Sequence, residues 1–135
     1  MINSIKRYYD DNIAIHLPKK TFKERHSFEK RLEESTHIKE KYPNRVPIIC
    51  EKWGNDPDVP EIDRKKYLVP TDLSIGNFMY VIRKRIKLKS EKSLYLFIND
   101  TVIAHSAGLI ASYYEKYKDE DGFLYISYSG ETTFG

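Results

Sequence analysis

From Ser27 onward the apolar positions Phe28, Leu32, Ile38 and Tyr42, with the small Ser35 among them, recur near a 3.6-residue period. That spacing predicts an amphipathic helix with one apolar stripe. Ser27 is placed to cap it, and Pro43 ends it. Just upstream, Thr21 with Glu24 three residues later is a capping-box pattern and predicts a shorter helix. Residues 1–20 show no sustained period, are interrupted by Pro18, and read as a flexible extension.

The period then changes to two. In "RVPIICEK" (45–52), Val46, Ile48 and Cys50 fall on one face of a strand and Pro47, Ile49 and Glu51 on the other. A turn-rich "WGNDPDVP" follows, and "RKKYLVP" (64–70) reads as a second strand that Pro70 stops, with Lys66 and Leu68 opposite Tyr67 and Val69. After Thr71 or Ser74 a long helix opens. Ile75, Phe78, Met79, Ile82 and Ile86 form its stripe, and "RKRIKLK" sets cations at its C-terminal end, where the helix dipole favours them. "LYLFI" (94–98) is continuously apolar and predicts an interior strand; Leu109, Ile110, Tyr113, Tyr114 and Tyr117 predict a last short helix; "GFLYISYS" is the final strand.

The order helix, helix, strand, strand, helix, strand, helix, strand is an α+β pattern. A β-grasp sheet fits it, with the long helix on one face. The two N-terminal helices belong on the other face, because Pro47 and Ile49 need apolar cover that the long helix cannot supply.

Composition narrows the function classes. The chain of 135 residues has about the length of one domain, and no apolar run approaches what a membrane-spanning helix needs. A single cysteine, Cys50, permits no intramolecular disulfide and fits a reducing, cytoplasmic compartment. Its place on the face of Val46 and Ile48 makes it a buried small hydrophobe rather than a nucleophile. The four histidines are scattered and make no metal cluster with it. No phosphate loop, nucleophile elbow or H-E-x-x-H motif is present, which argues against an enzyme and calls for no cofactor. Glu33-Glu34 and Asp119-Glu120-Asp121 read as solvated helix and turn charges. A net charge of +3 is too weak to indicate nucleic acid, and the basic helix end lacks aromatic stacking partners.

The stretch "RKKYLVP" is more informative. At a sheet edge its unpaired amides and carbonyls can accept a partner strand, and its lysines would favour an acidic, extended peptide. Leu68 and Lys66 would join Pro47, Ile49, Ile38 and Glu34 on one face, while Tyr67 and Val69 would meet the long helix near Phe78 and Val81. One added peptide could then anchor alternate side chains on both faces. The alternative is that these are simply core residues, and periodicity alone favours that plainer reading.

The segments "FKERHSFEKR", "KYPNRVPII", "DRKKYLVP", "GNFMYVIRKRI" and "KDEDGFLYISYSGETTFG" closely resemble the autophagy ubiquitin-like modifiers, the family of the GABA-receptor-associated protein and microtubule-associated light chain 3. The resemblance runs from about Lys19 to Gly135. It implies a ubiquitin-like β-grasp fold over residues 21–135 with two additional N-terminal helices (21–42) and a conjugation tail (129–135). It also implies a protein that is handled by ATP-dependent activating and conjugating enzymes and by a deconjugating cysteine protease. Such a protein is joined through its terminal glycine, here Gly135, to phosphatidylethanolamine on the autophagosomal membrane.

Carried over, the family's pocket for a receptor's aromatic residue comprises Glu34, Ile38, Pro47, Ile49, Lys66, Leu68 and Phe123. Its pocket for the aliphatic residue comprises Tyr67, Val69, Pro70, Leu73, Phe78, Val81 and Arg85, with Arg45 placed to meet acidic flanks. Partners implied are cargo receptors with acidic aromatic-x-x-aliphatic motifs. A non-covalent adaptor, or a lipidated modifier serving a non-degradative organelle, shares these features. The extension before residue 17 has no counterpart in the family, and Ala104-His105 stands where some members carry prolines.

Overall fold

The computed structural model describes residues 20–132, so the N-terminal extension and Gly135 lie outside the described residues. Helix α1 (Phe22–Arg25) opens on the expected capping box: Glu24 N–H donates to Thr21 Oγ1, and Thr21 N–H donates to the Glu24 carboxylate. Helix α2 (Phe28–Lys41) is capped by Ser27, whose hydroxyl accepts from Lys30 N–H. Strands β1 (Arg45–Lys52) and β2 (Lys66–Pro70) form an antiparallel pair. Helix α3 (Ile75–Ile86) starts at Ser74 and ends on Lys87 in the left-handed conformation. Strand β3 (Tyr95–Ile98), the two-residue β4 (Val102–Ile103), helix α4 (Ile110–Tyr117) and strand β5 (Leu124–Ser129) complete the described chain.

The sheet runs β2-β1-β5-β3-β4. Among the described residues only the β1–β5 pairing is parallel, with Ile48 beside Leu124, and it lies inside the sheet. Two apolar clusters divide along the faces that alternation predicts. Val46, Ile48 and Cys50 pack with Ile75, Phe78, Ile82, Ile86 and Ile110 beneath α3 and α4. Ile49 packs with Phe22, Ile38 and Phe123 beneath the N-terminal helices. The α+β class, the β-grasp arrangement and the placement of the two extra helices all hold.

Three expectations are corrected. The sequence showed four strands; the fifth, β4, is too short to carry a period. The stripe on α2 is not wholly covered: Ser35 and Ile38 are buried, but Phe28 and Leu32 remain 39% and 40% exposed, so the helix's packed stripe is confined to its second half. Asp121 is no solvated turn charge. It is fully buried, and its carboxylate accepts from Arg31 Nη1 (2.5 Å), Tyr125 hydroxyl (2.6 Å) and Phe123 N–H (2.8 Å). Its neighbour Asp119 pairs with Lys23.

Cys50 is fully buried, and burial pushes its thiol well above the ordinary cysteine range. Thiolate is the reactive form, so the folded protein should resist alkylation. Mass spectrometry after brief iodoacetamide treatment should show unmodified chain in buffer and full modification in denaturant. Rapid labelling of the folded form would contradict this placement.

Candidate functional site

Among the described residues β2 is an edge strand, paired only through β1. The ladder's phase follows from the bonds that bracket it: Thr71 N–H donates to Asn44 carbonyl, and Cys50 N–H donates to Lys65 carbonyl. In the same register Val46 and Ile48 face Val69 and Tyr67 as hydrogen-bonded pairs. The main-chain groups of the intervening Lys66 and Leu68 therefore point away from β1.

On the N-terminal-helix side of this edge lie the residues of the first candidate pocket. Ile38 descends from α2, Pro47 and Ile49 come from β1, Leu68 and Lys66 from β2, and Phe123 from the tight turn before β5. Ile49 and Phe123 expose nothing, so they form the floor, and half-buried Leu68 is the apolar surface that remains reachable. Glu34 and Lys66 form an ion pair from α2 to β2 over this ground. Both are long and partly exposed, so the bridge can open at little energetic cost.

The second group surrounds the opposite face. Tyr67 and Val69 are buried in the larger core, and the Tyr67 ring meets Phe78 edge-on at 5.7 Å. Phe78 is fully covered, Leu73 half-covered, and Pro70 and Val81 are exposed. Arg85 is not free. Its guanidinium grips Asp63 with two bonds, 2.9 and 3.3 Å, and that partner holds the Asp63 carboxyl below the usual carboxylate range. The residues assigned by resemblance thus gather along one strand. The three most buried, Ile49, Phe78 and Phe123, support the surface without contributing to it.

Two guanidinium contacts complete the edge. Arg45 Nη1 donates to Leu68 carbonyl at 3.2 Å, and Arg64 Nε donates to Lys66 carbonyl at 3.0 Å. Arg64 also lies over the Tyr67 ring, 5.9 Å from its centre. Sequence reasoning placed Arg45 near the site but overlooked Arg64 and Asp63. Their signal was only charge in a charged stretch, and their roles depend on a strand's free side.

Comparison with known proteins meets this geometry directly. A sequence model described as "Autophagy protein Atg8 ubiquitin like" matches residues 30–135. The chain belongs to the Atg8 ubiquitin-like family. It is 60% identical to autophagy-related protein 8 of Scheffersomyces stipitis over 114 residues, covering 84% of this chain and 81% of that one. The Mycosarcoma maydis protein of the same name is 59% identical over 114 residues, covering 84% of this chain and 95% of that one.

Among solved structures, Trypanosoma brucei ATG8 superposes with a TM-score of 0.77 at 47% identity, covering 87% of this chain and all of that one. Plasmodium falciparum Atg8, solved in complex with a Plasmodium falciparum Atg3 peptide, superposes with a TM-score of 0.78 at 35% identity, covering 86% of this chain and all of that one. The Atg8 family consists of ubiquitin-like modifiers, so this chain is a ubiquitin-like autophagy protein and not an enzyme. Among its described residues no helix is long and apolar enough to cross a membrane.

Proposed function

We propose that this Atg8-family chain is conjugated through Gly135 to phosphatidylethanolamine and that, on the membrane, it collects receptors by adding their acidic aromatic-x-x-aliphatic segments to β2. The observation that carries the peptide half is the edge itself: outward-facing main-chain groups at Lys66 and Leu68, with separate apolar ground on either face of one strand. An added strand sends alternate side chains to opposite faces, so the aromatic residue would settle against Leu68 and the aliphatic one beside Leu73 and Val81. Solution of the Plasmodium falciparum relative with a peptide supports this reading by similarity.

The conjugation half rests on family membership and on the residue at position 135. A glycine carboxylate can enter a narrow enzyme channel, be activated by ATP, pass as a thioester between cysteines and end as an amide on the lipid amine. The partners are then the activating and conjugating enzymes, a deconjugating cysteine protease, and the phosphatidylethanolamine membrane, with the unconjugated form cytoplasmic.

The test is incubation with ATP, the family's activating and conjugating enzymes and phosphatidylethanolamine liposomes. A membrane-bound product of shifted mobility should form and should vanish when Gly135 is deleted. Absence of product, or equal product without Gly135, overturns the conjugation half. The peptide edge and its pockets are built from residues between Glu34 and Phe123 and do not include Gly135, so a purely non-covalent adaptor is a coherent second reading. Peptide binding that survives Gly135 deletion, without any conjugate from the intact chain, would favour it.

A further inference from the structure

The last strand ends in a narrow cradle. β5 stops at Ser129, and at Gly130 the chain passes between the β1–β2 loop and the segment that leads from α3 into β3. A methyl group on Gly130 would stand 2.9 Å from Val59 Cγ2, 3.0 Å from Lys92 Cε and 3.2 Å from Asp56 Oδ2, closer than side chains ordinarily pack. Val59 is buried in the core and cannot step aside. Beside the same glycine, Lys92 Nζ and Asp56 Oδ2 close an ion pair at 2.9 Å. Both partners are held in place by other bonds. Asp56 Oδ1 accepts from Asp58 N–H (2.9 Å), and its main-chain carbonyl accepts from Lys52 Nζ (2.8 Å). The Lys92 carbonyl accepts from Arg83 Nη1 at 2.8 Å. The loop is also tied to β5: Trp53 N–H donates to the Tyr128 carbonyl, and the Tyr128 hydroxyl donates to the Pro60 carbonyl, each at 2.9 Å. An exposed ion pair gains little because it must order two long side chains, and here much of that ordering is already done.

We propose that Asp56 and Lys92 are positioning residues that clasp the root of the conjugation tail at Gly130 and aim the residues beyond it into the activating enzyme. This inference rests on the conjugation reading proposed above. The five residues 131–135 reach at most about 18 Å from a fixed point. A root held at Gly130 confines the glycine carboxylate to a small volume, whereas a root that swings dilutes it over a larger one. In the first step that carboxylate attacks the α-phosphorus of ATP and pyrophosphate leaves; the enzyme's cysteine thiolate then displaces AMP to form the thioester. The clasp acts on the bound complex, so it sets the maximal rate of thioester formation and leaves affinity for the enzyme unchanged.

The test uses the full chain, ATP and the family's activating enzyme. Single-turnover thioester formation is followed over a range of enzyme concentrations, which yields a maximal rate and a half-saturating concentration. Lys92→Met keeps an unbranched stem beside Gly130 but loses the ion pair, and its maximal rate should fall about two- to fivefold. Gly130→Ala forces the root off the cradle, and its rate should fall about tenfold or more. Lys92→Arg keeps the pair and should behave as wild type. Half-saturation should be the same for all four proteins. Amide exchange should quicken at Gly130 and Glu131 in the methionine and alanine variants but not at Ile126, and thermal melts confirm that each is folded.

A wild-type maximal rate in Lys92→Met overturns the clasp and leaves conjugation standing. So does a change confined to half-saturation, which would make Lys92 a direct contact for the enzyme. If Gly130→Ala melts early, Lys92→Met with its arginine control decides alone. If wild type forms no thioester, the conjugation reading fails and the clasp fails with it.

Discussion

Asp121→Ala should destabilise the domain by about 3–5 kcal/mol, because it strands a charge that the fold has taken out of water. The Arg31 side chain is only 11% exposed, and the Asp121 carboxylate is its ionic partner. The same carboxylate also accepts from the Tyr125 hydroxyl and the Phe123 N–H. With Ala, three donors lose their acceptor at once. Asp121 further joins helix to turn through its own carbonyl, which accepts from the Ser35 hydroxyl.

Gly122, in the left-handed region at φ 89°, belongs to the same junction, and a Cβ there would run into Ser35. Urea unfolding should show a lower midpoint, and amide exchange should show α2 losing protection before the sheet. Asp121→Asn keeps an acceptor for Phe123 and should be less damaging. A loss below about 1 kcal/mol in the alanine variant would mean that the buried pair is not holding the helix down.

The second large effect concerns binding. Leu68→Ala should weaken an acidic aromatic-x-x-aliphatic peptide about 10- to 100-fold, the range expected when an apolar anchor is removed from the centre of a small interface. Leu68 is the better position for this test than Tyr67. Tyr67 is only 8% exposed and packs on Phe78, so its truncation would damage the core beneath the site as well as the site. Leu68 is half-buried and overlies the Ile38, Ile49 and Phe123 floor, so the fold should tolerate its loss. Calorimetric titration alongside a thermal melt separates the two effects. Unchanged affinity in a stable Leu68→Ala protein would remove the first pocket from the site.

What could be read in the sequence was what local pattern encodes. Thr21, Ser27 and Ser74 announce three helix starts because a hydroxyl before an apolar period satisfies orphan amides. The alternation through Val46, Pro47, Ile48, Ile49 and Cys50 was enough to demand two covered faces, and the helices do divide between them. Resemblance then gathered the pocket residues to one strand.

What escaped was long-range and polar. Asp121 looked like a turn charge because its partner Arg31 lies 90 positions away. Arg64 looked like a generic cation, since only the phase of the β1–β2 ladder reveals that the Lys66 carbonyl it meets faces outward. Resemblance also failed to distinguish reachable residues such as Leu68 from wholly covered ones such as Phe78, a difference set by packing depth.

The parallel pairing inside the sheet has a consequence for biosynthesis. β1 is made early and β5 late, yet each forms the other's central neighbour, with Ile48 beside Leu124 and Cys50 beside Ile126. A ribosome-bound chain that has emerged only through α4 holds a β1–β2 hairpin and loose helices around an empty middle. Closing the loop between them is entropically slow and cannot begin until the last strand clears the exit tunnel. The domain must therefore fold after nearly all of it has been synthesised. Until then β1 lacks its central neighbour, and a message cut short before Leu124 yields a chain whose β1 has an unpaired edge where β5 belongs.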